Sequence, residues 1–115
     1  MRTLAEVDIL TPDEIRLLID LKQRILEIAP GAAIALYGSA ARGERTPESD
    51  YDVLVIVATP LSRQERREIY HAIGELEIGL DVVISLAIIT REQWASPVMR
   101  GAPYHAAVVR DGIAI

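Results

Sequence analysis

The stretch Leu36–Val57, LYGSAARGERTPESDYDVLVIV, changes character twice. An apolar run from Ala32 to Tyr37 reads as a short strand that stops at Gly38. Residues 38–49 are small, polar and charged, with a short helix expected around Ala40 to Glu44 and then a loop holding Pro47. Tyr51 to Ala58 is apolar again, and Val53, Val55, Ile56 and Val57 mark a strand buried on both faces. Side chains alternate along a strand, so Asp50 and Asp52 project to one face while Tyr51 points away. A lone Asp-x-Asp is most simply a loop cap followed by a surface ion pair. Asp52, however, lies inside an apolar strand, where an unpaired carboxylate is costly to bury and tends to mark a site. Two adjacent carboxylates suit a hard divalent cation such as Mg²⁺, which takes oxygen ligands and bridges to substrate phosphates.

Gly38 and Ser39 stand ten residues ahead of Asp50. A glycine there lets a phosphate approach the backbone closely. The Ser39 hydroxyl and the amides that follow are natural phosphate ligands, and Arg42, one helical turn on, reaches the same anion. Taken singly, Gly38-Ser39 is an ordinary strand-to-helix turn and Arg42 a solvated charge.

Upstream, Thr11-Pro12-Asp13-Glu14 is a capping box with Pro in the first turn. It opens a helix whose Ile15, Leu18, Ile19, Ile25, Leu26 and Ala29 recur at helical spacing until Pro30-Gly31 ends it. Downstream, Ser62 and Glu65 form a second capping box, predicting a helix to about Leu76 before Gly79. A third strand is expected from Asp81 to Leu86, a helical turn from Thr90 with Gln93, and a last helix from Pro97 to Asp111-Gly112. The order α-β-α-β-α-β-α implies a single α/β domain over residues 1–115, a small mixed sheet flanked by helices. If the helix between the second and third strands is a crossover, those strands are parallel and Asp81 falls beside Asp50 and Asp52. Gly38-Ser39 follows a strand end, so it meets them only if the first two strands are antiparallel. Three carboxylates and a glycine turn at one sheet edge suit a two-metal site.

Bulk properties narrow the function classes. With 115 residues, half of them hydrophobic, the chain fits one core, built from Ile, Val, Leu and Ala because aromatics are 4% and Phe is absent. The lack of cysteine excludes disulfides, thiolate metal sites and cysteine nucleophiles. A net charge of −5 argues against broad binding along a nucleic-acid backbone. The acidic N-terminus lacks a signal-peptide pattern and the longest apolar run, Val82–Ile89, is too short to span a bilayer, so a cytoplasmic protein without membrane contact is expected. His71 and His105 have no partner at metal spacing and read as surface or packing residues. Ser85, on the strand face of Asp81, lines the cleft or fills space. Trp94 and Tyr104 are candidates to stack on a base or anchor a partner. The Arg63–Glu68 charges read as a solvated helix face.

The stretch resembles the signature of the nucleotidyltransferase superfamily related to DNA polymerase beta. It is more closely similar to the minimal nucleotidyltransferase (MNT) group, in which Gly-Ser, ten residues and Asp-x-Asp precede a distant third Asp. Gly38, Ser39, Asp50, Asp52 and Asp81 match that pattern, and PVMRGAPYHAAVVRDGIAI is similar to the tail of stand-alone MNT proteins, with Asp111 in place of a more usual Glu. The resemblance covers Ile34 to Ile115. It implies transfer of AMP from ATP, with Asp50, Asp52 and Asp81 as catalytic carboxylates and ligands of two Mg²⁺ ions. Gly38, Ser39 and Arg42 would hold the triphosphate. MNT proteins of this size resemble antitoxins that modify a tyrosine hydroxyl of a HEPN-domain ribonuclease toxin, so such a partner is implied. The alternatives are a module that masks its partner by contact alone and transfer to a small-molecule hydroxyl, which usually needs a further helical domain. Polymer synthesis sits poorly with the acidic charge.

Overall fold

A computed structural model describes all of residues 1–115. Its elements, in chain order, are β1 (Arg2–Thr3), α1 (Pro12–Ile28), β2 (Ala33–Tyr37), α2 (Gly38–Ala41), β3 (Tyr51–Val57) and α3 (Arg63–Leu80). They are followed by β4 (Ile84–Thr90), α4 (Arg91–Trp94), α5 (Pro97–Arg100), α6 (Pro103–Asp111) and β5 (Ile113–Ala114), with a 3₁₀ turn over Leu4–Glu6. The strands form one mixed sheet in the order β1-β5-β2-β3-β4. β2 and β3 are antiparallel, β3 and β4 parallel, as the sequence requires for its glycine turn and its carboxylates to meet. No helix is long and apolar enough to cross a membrane.

Both capping boxes form. Thr11 and Glu14 exchange side-chain-to-backbone hydrogen bonds at the head of α1, and Ser62 and Glu65 do so at the head of α3. These helices pack side by side on one sheet face. Leu18, Leu21 and Ile25 of α1 and Ile69, Ile73 and Leu76 of α3 meet Leu36, Val53, Val55 and Val57 in the core. Tyr51 joins them on that face, its hydroxyl donating to Glu14 Oε2 at 2.8 Å and its ring lying 4.1 Å beneath the Arg45 guanidinium. Burial and the Glu14 carboxylate, which disfavours a second negative charge, push the Tyr51 hydroxyl up to about 12.

β4 ends at Thr90 rather than Leu86 and α2 covers Gly38–Ala41 rather than Ala40–Glu44; three further differences from the sequence reading each have a local reason. α3 runs through Gly79 to Leu80, because Asp81 closes it in the left-handed region at φ 53°, donating its N–H to the Glu77 carbonyl. Asp is among the few residues with side chains that adopt that conformation readily, so the glycine is not the stop. The third strand therefore begins at Ile84 rather than Asp81, and the Glu77 carboxylate accepts the Ile84 N–H at 3.0 Å. The last helix is two helices, because Pro103 has no N–H to continue α5 and starts α6 instead. The two-residue strands β1 and β5 are too short to leave a periodic signal. Arg2 fixes them from the side, donating to the carbonyls of Ala41 at 2.9 Å and Asp111 at 2.7 Å.

Candidate active site

β2 ends at Tyr37, and Gly38 turns the chain with φ +73° directly into α2. Ala40 and Ala41 bury the short helix against the domain, while Ser39 is half-buried. In the antiparallel register Tyr37 faces Asp52, which brings the turn against the first residues of β3. A Cβ built on Gly38 would collide with Oδ2 of Asp52 and stand 3.1 Å from its Cγ. Only glycine allows this carboxylate to lie flat against the turn.

Asp50, just before β3, is exposed, and Asp52 is half-buried among apolar neighbours. Partial burial, then the charge of Asp50, hold the Asp52 carboxyl above the usual carboxylate range, and Arg42 pulls it part of the way back. Two neighbouring carboxylates with no ion pair to either form an oxygen donor set that suits a divalent cation. The residues fit Mg²⁺.

Asp81 is exposed at the end of α3, two residues before Val83, whose carbonyl accepts the Tyr51 N–H at 2.9 Å. No three acidic or histidine side chains are grouped as a metal-binding cluster. The parallel register places Ser85 opposite Asp52. The Arg42 guanidinium has partners within the protein. It is held by Glu44 at 3.1 Å and by Asp111 at 3.5 Å, linking α2 to the end of α6. Its charge still acts on Asp52, and Arg42 and Arg110 together hold the Asp111 carboxyl below its usual range.

The histidines play no part here. His71 pairs with Glu75 on the exposed side of α3, and His105 lies against the Trp94 ring at 4.3 Å. The sheet face that carries Asp52 continues through Leu54 and Ala87 into a cavity of about 600 Å³ roofed by Met99, Ala102 and Tyr104. Of these, only Tyr104 stands out in the sequence. The others are small or aliphatic residues whose shared position depends on how α4–α6 fold over the sheet. The Tyr104 ring meets Tyr37 edge-on at 5.4 Å and Trp94 edge-on at 6.4 Å.

The model of the nucleotidyltransferase domain family matches residues 18–100. That span includes the glycine turn, both carboxylates and β4. Among solved structures, a toxin–antitoxin crystallised with AMP-PNP is 24% identical, with a TM-score of 0.53 over 86% of this chain and 69% of that one. A mutant of the toxin–antitoxin MntA-HpeT is also 24% identical, with a TM-score of 0.54 over 91% of this chain and 72% of that one. At this identity the likeness is one of fold. No curated protein matches the sequence.

Proposed function

The chain belongs to the nucleotidyltransferase domain family, and from that premise we propose that it transfers AMP from ATP to a tyrosine hydroxyl of a HEPN-domain toxin, as an antitoxin of the cytoplasm. The observation that carries this reading is the Asp50–Asp52 pair, in no ion pair with the protein, with Asp52 pressed against the Gly38 turn. The resemblance to MNT antitoxins and the folds of the two toxin–antitoxin structures support the partner class.

In this mechanism Asp50 and Asp52 hold Mg²⁺ and Gly38 and Ser39 hold the triphosphate against the turn. Held there, Mg²⁺ would supply charge neutralisation at the phosphates and make the acceptor hydroxyl more acidic. The acceptor oxygen would bond to the α-phosphorus as the bond to the β-phosphate oxygen breaks, with pyrophosphate leaving and the hydroxyl proton passing to solvent. The chain contributes mainly positioning, which suits phosphoryl transfer. Arg42 adds positive potential from its place between Glu44 and Asp111. The resemblance implies a second ion completed by Asp81; the transfer proposed here needs only the ion that the pair would hold.

The test is incubation with ATP labelled at the α-phosphate, Mg²⁺ and the copurifying partner. Label should appear on a tyrosine of the partner; a tight complex without label would favour masking by contact. Asp81→Asn should transfer label within about threefold of the unaltered protein, because its side chain lies outside the pair. A loss of a hundredfold or more would return Asp81 to the site.

A further inference from the structure

β4 is an edge of the sheet, with β3 on one side and no strand on the other. Its sequence, ISLAIIT over Ile84–Thr90, holds none of the charges or prolines that normally blunt such an edge. Only Ile84 of its residues is buried, so the strand is covered far less than β3 beside it.

The main chain shows which groups are open. The Tyr51 N–H donates to the Val83 carbonyl at 2.9 Å, so Val83 faces β3. Backbone groups alternate in direction along a strand. Ser85, Ala87 and Ile89 therefore face β3 as well, and Ile84, Leu86, Ile88 and Thr90 face outward. Side chains answer the two outer N–H groups of that set. Glu77 Oε2 accepts from Ile84 at 3.0 Å, and Gln93 Oε1 accepts from Thr90 at 3.0 Å. Leu86 and Ile88 are left open between them.

This window is closed at both ends and centred on Ala87, which makes it complementary to itself. When two copies meet antiparallel about a two-fold axis at Ala87, Leu86 of each faces Ile88 of the other and exchanges both hydrogen bonds. Ala87 meets its own copy in the close, non-hydrogen-bonded pair, where a small side chain suits the approach. A longer strand of another protein would run into the capped N–H groups, whereas a second copy carries the same caps in the same places. Charge agrees with the orientation. Glu77 and Asp81 precede β4, while Arg91 and Arg100 against Glu92 follow it, and none of them is in an ion pair. Antiparallel contact sets the acidic head of one copy beside the more basic tail of the other.

We propose that the β4 edge is a self-association surface, through which two copies pair antiparallel at Leu86 and Ile88 and join their sheets into one. Asp52 shares its sheet face with Ser85 and Ala87, so both carboxylate pairs open on the same side of the joined sheet.

The chain has no cysteine, so single cysteines report the register. Ala87→Cys should form a disulfide-linked dimer under mild oxidation, since its Cα would lie about 4.5 Å from that of its copy. Ser85→Cys and Ile89→Cys should stay unlinked alone and link when mixed, because the two-fold sets each against the other. Sedimentation velocity should show a reversible dimer with a dissociation constant on the order of 100 µM, suited to a small contact. Ile88→Pro removes an N–H that faces away from the ladder, a change edge strands tolerate. It should weaken the dimer about tenfold or more, with circular dichroism confirming the fold. Independently of any variant, the Leu86 and Ile88 amides should gain protection from hydrogen exchange as the concentration rises.

A protein that stays monomeric at every concentration overturns the proposal. So does a dimer that folded Ile88→Pro leaves unchanged, or self-linking of Ser85→Cys as readily as Ala87→Cys. Protection of Leu86 and Ile88 only with a copurifying protein present, and no self-association, would overturn it too and give the edge to a partner's strand.

Discussion

Asp52→Asn should lower nucleotidyl transfer on the order of a thousandfold while raising the melting temperature of the metal-free protein by a few degrees. The expected loss of rate follows from removing one of the two carboxylates proposed to hold the cation. The gain in stability has a separate cause. Partial burial and Asp50 raise the Asp52 pKa, so ionised Asp52 weighs against the folded state. A group whose folded pKa is raised contributes stability below its unfolded pKa and loses it as pH rises through the folded value. The melting temperatures of Asp52→Asn and the unaltered protein should therefore converge at about pH 3, where both side chains are neutral, and separate by pH 7. Added Mg²⁺ should close the gap at pH 7 by stabilising the unaltered protein alone. A variant less stable at pH 7 would show that Asp52 is a structural partner rather than a strained ligand.

Replacing Gly38 by alanine is expected to cost both fold and function. The left-handed φ of +73° alone is worth about 1 kcal/mol against a side chain. The new Cβ would also drive the Asp52 carboxylate from its place against the turn. Transfer should fall by about a hundredfold, beyond any loss explained by stability. Gly43→Ala is the matched control. It has the same φ of +73°, but its Cβ would meet Ile9 Cγ2 at 3.3 Å, a side chain that can yield. It should lose comparable backbone stability, read by thermal melts, and keep its transfer rate. Equal activity in the two variants would mean that contact between Gly38 and Asp52 does not matter.

The sequence is most legible where a single residue's chemistry settles a local structure. Thr11, Ser62 and Thr90 each open a helix with the partner three residues on, and all three capping boxes form. Asp52 stands out because a carboxylate inside an apolar strand is an anomaly on its own. Legibility fails where the outcome depends on competition between neighbours. Gly79 looks like a helix end, yet the helix continues to Leu80 until Asp81 takes the left-handed conformation. The ion pair of Arg42 is not legible, because Asp111, distant in sequence, gives no sign that it will lie 3.5 Å away. The cavity is invisible for the same reason, since Leu54, Ala87 and Met99 are ordinary residues that share a wall only through the fold.

The pairing of β1 with β5 has a consequence for the order of assembly. Arg2 aligns with Ile113 and Thr3 with Ala114, and β1 has no other partner in the sheet. The strands that carry the carboxylates lie close in sequence, with α3 as their crossover. A chain leaving the ribosome can therefore build β2, β3 and β4 with their helices early, whereas β1 must wait for Ile113 and Ala114 to be made. Arg2 and Thr3 are thus expected to close last, the Arg2 hydrogen bonds to Ala41 and Asp111 fastening them to an otherwise assembled domain.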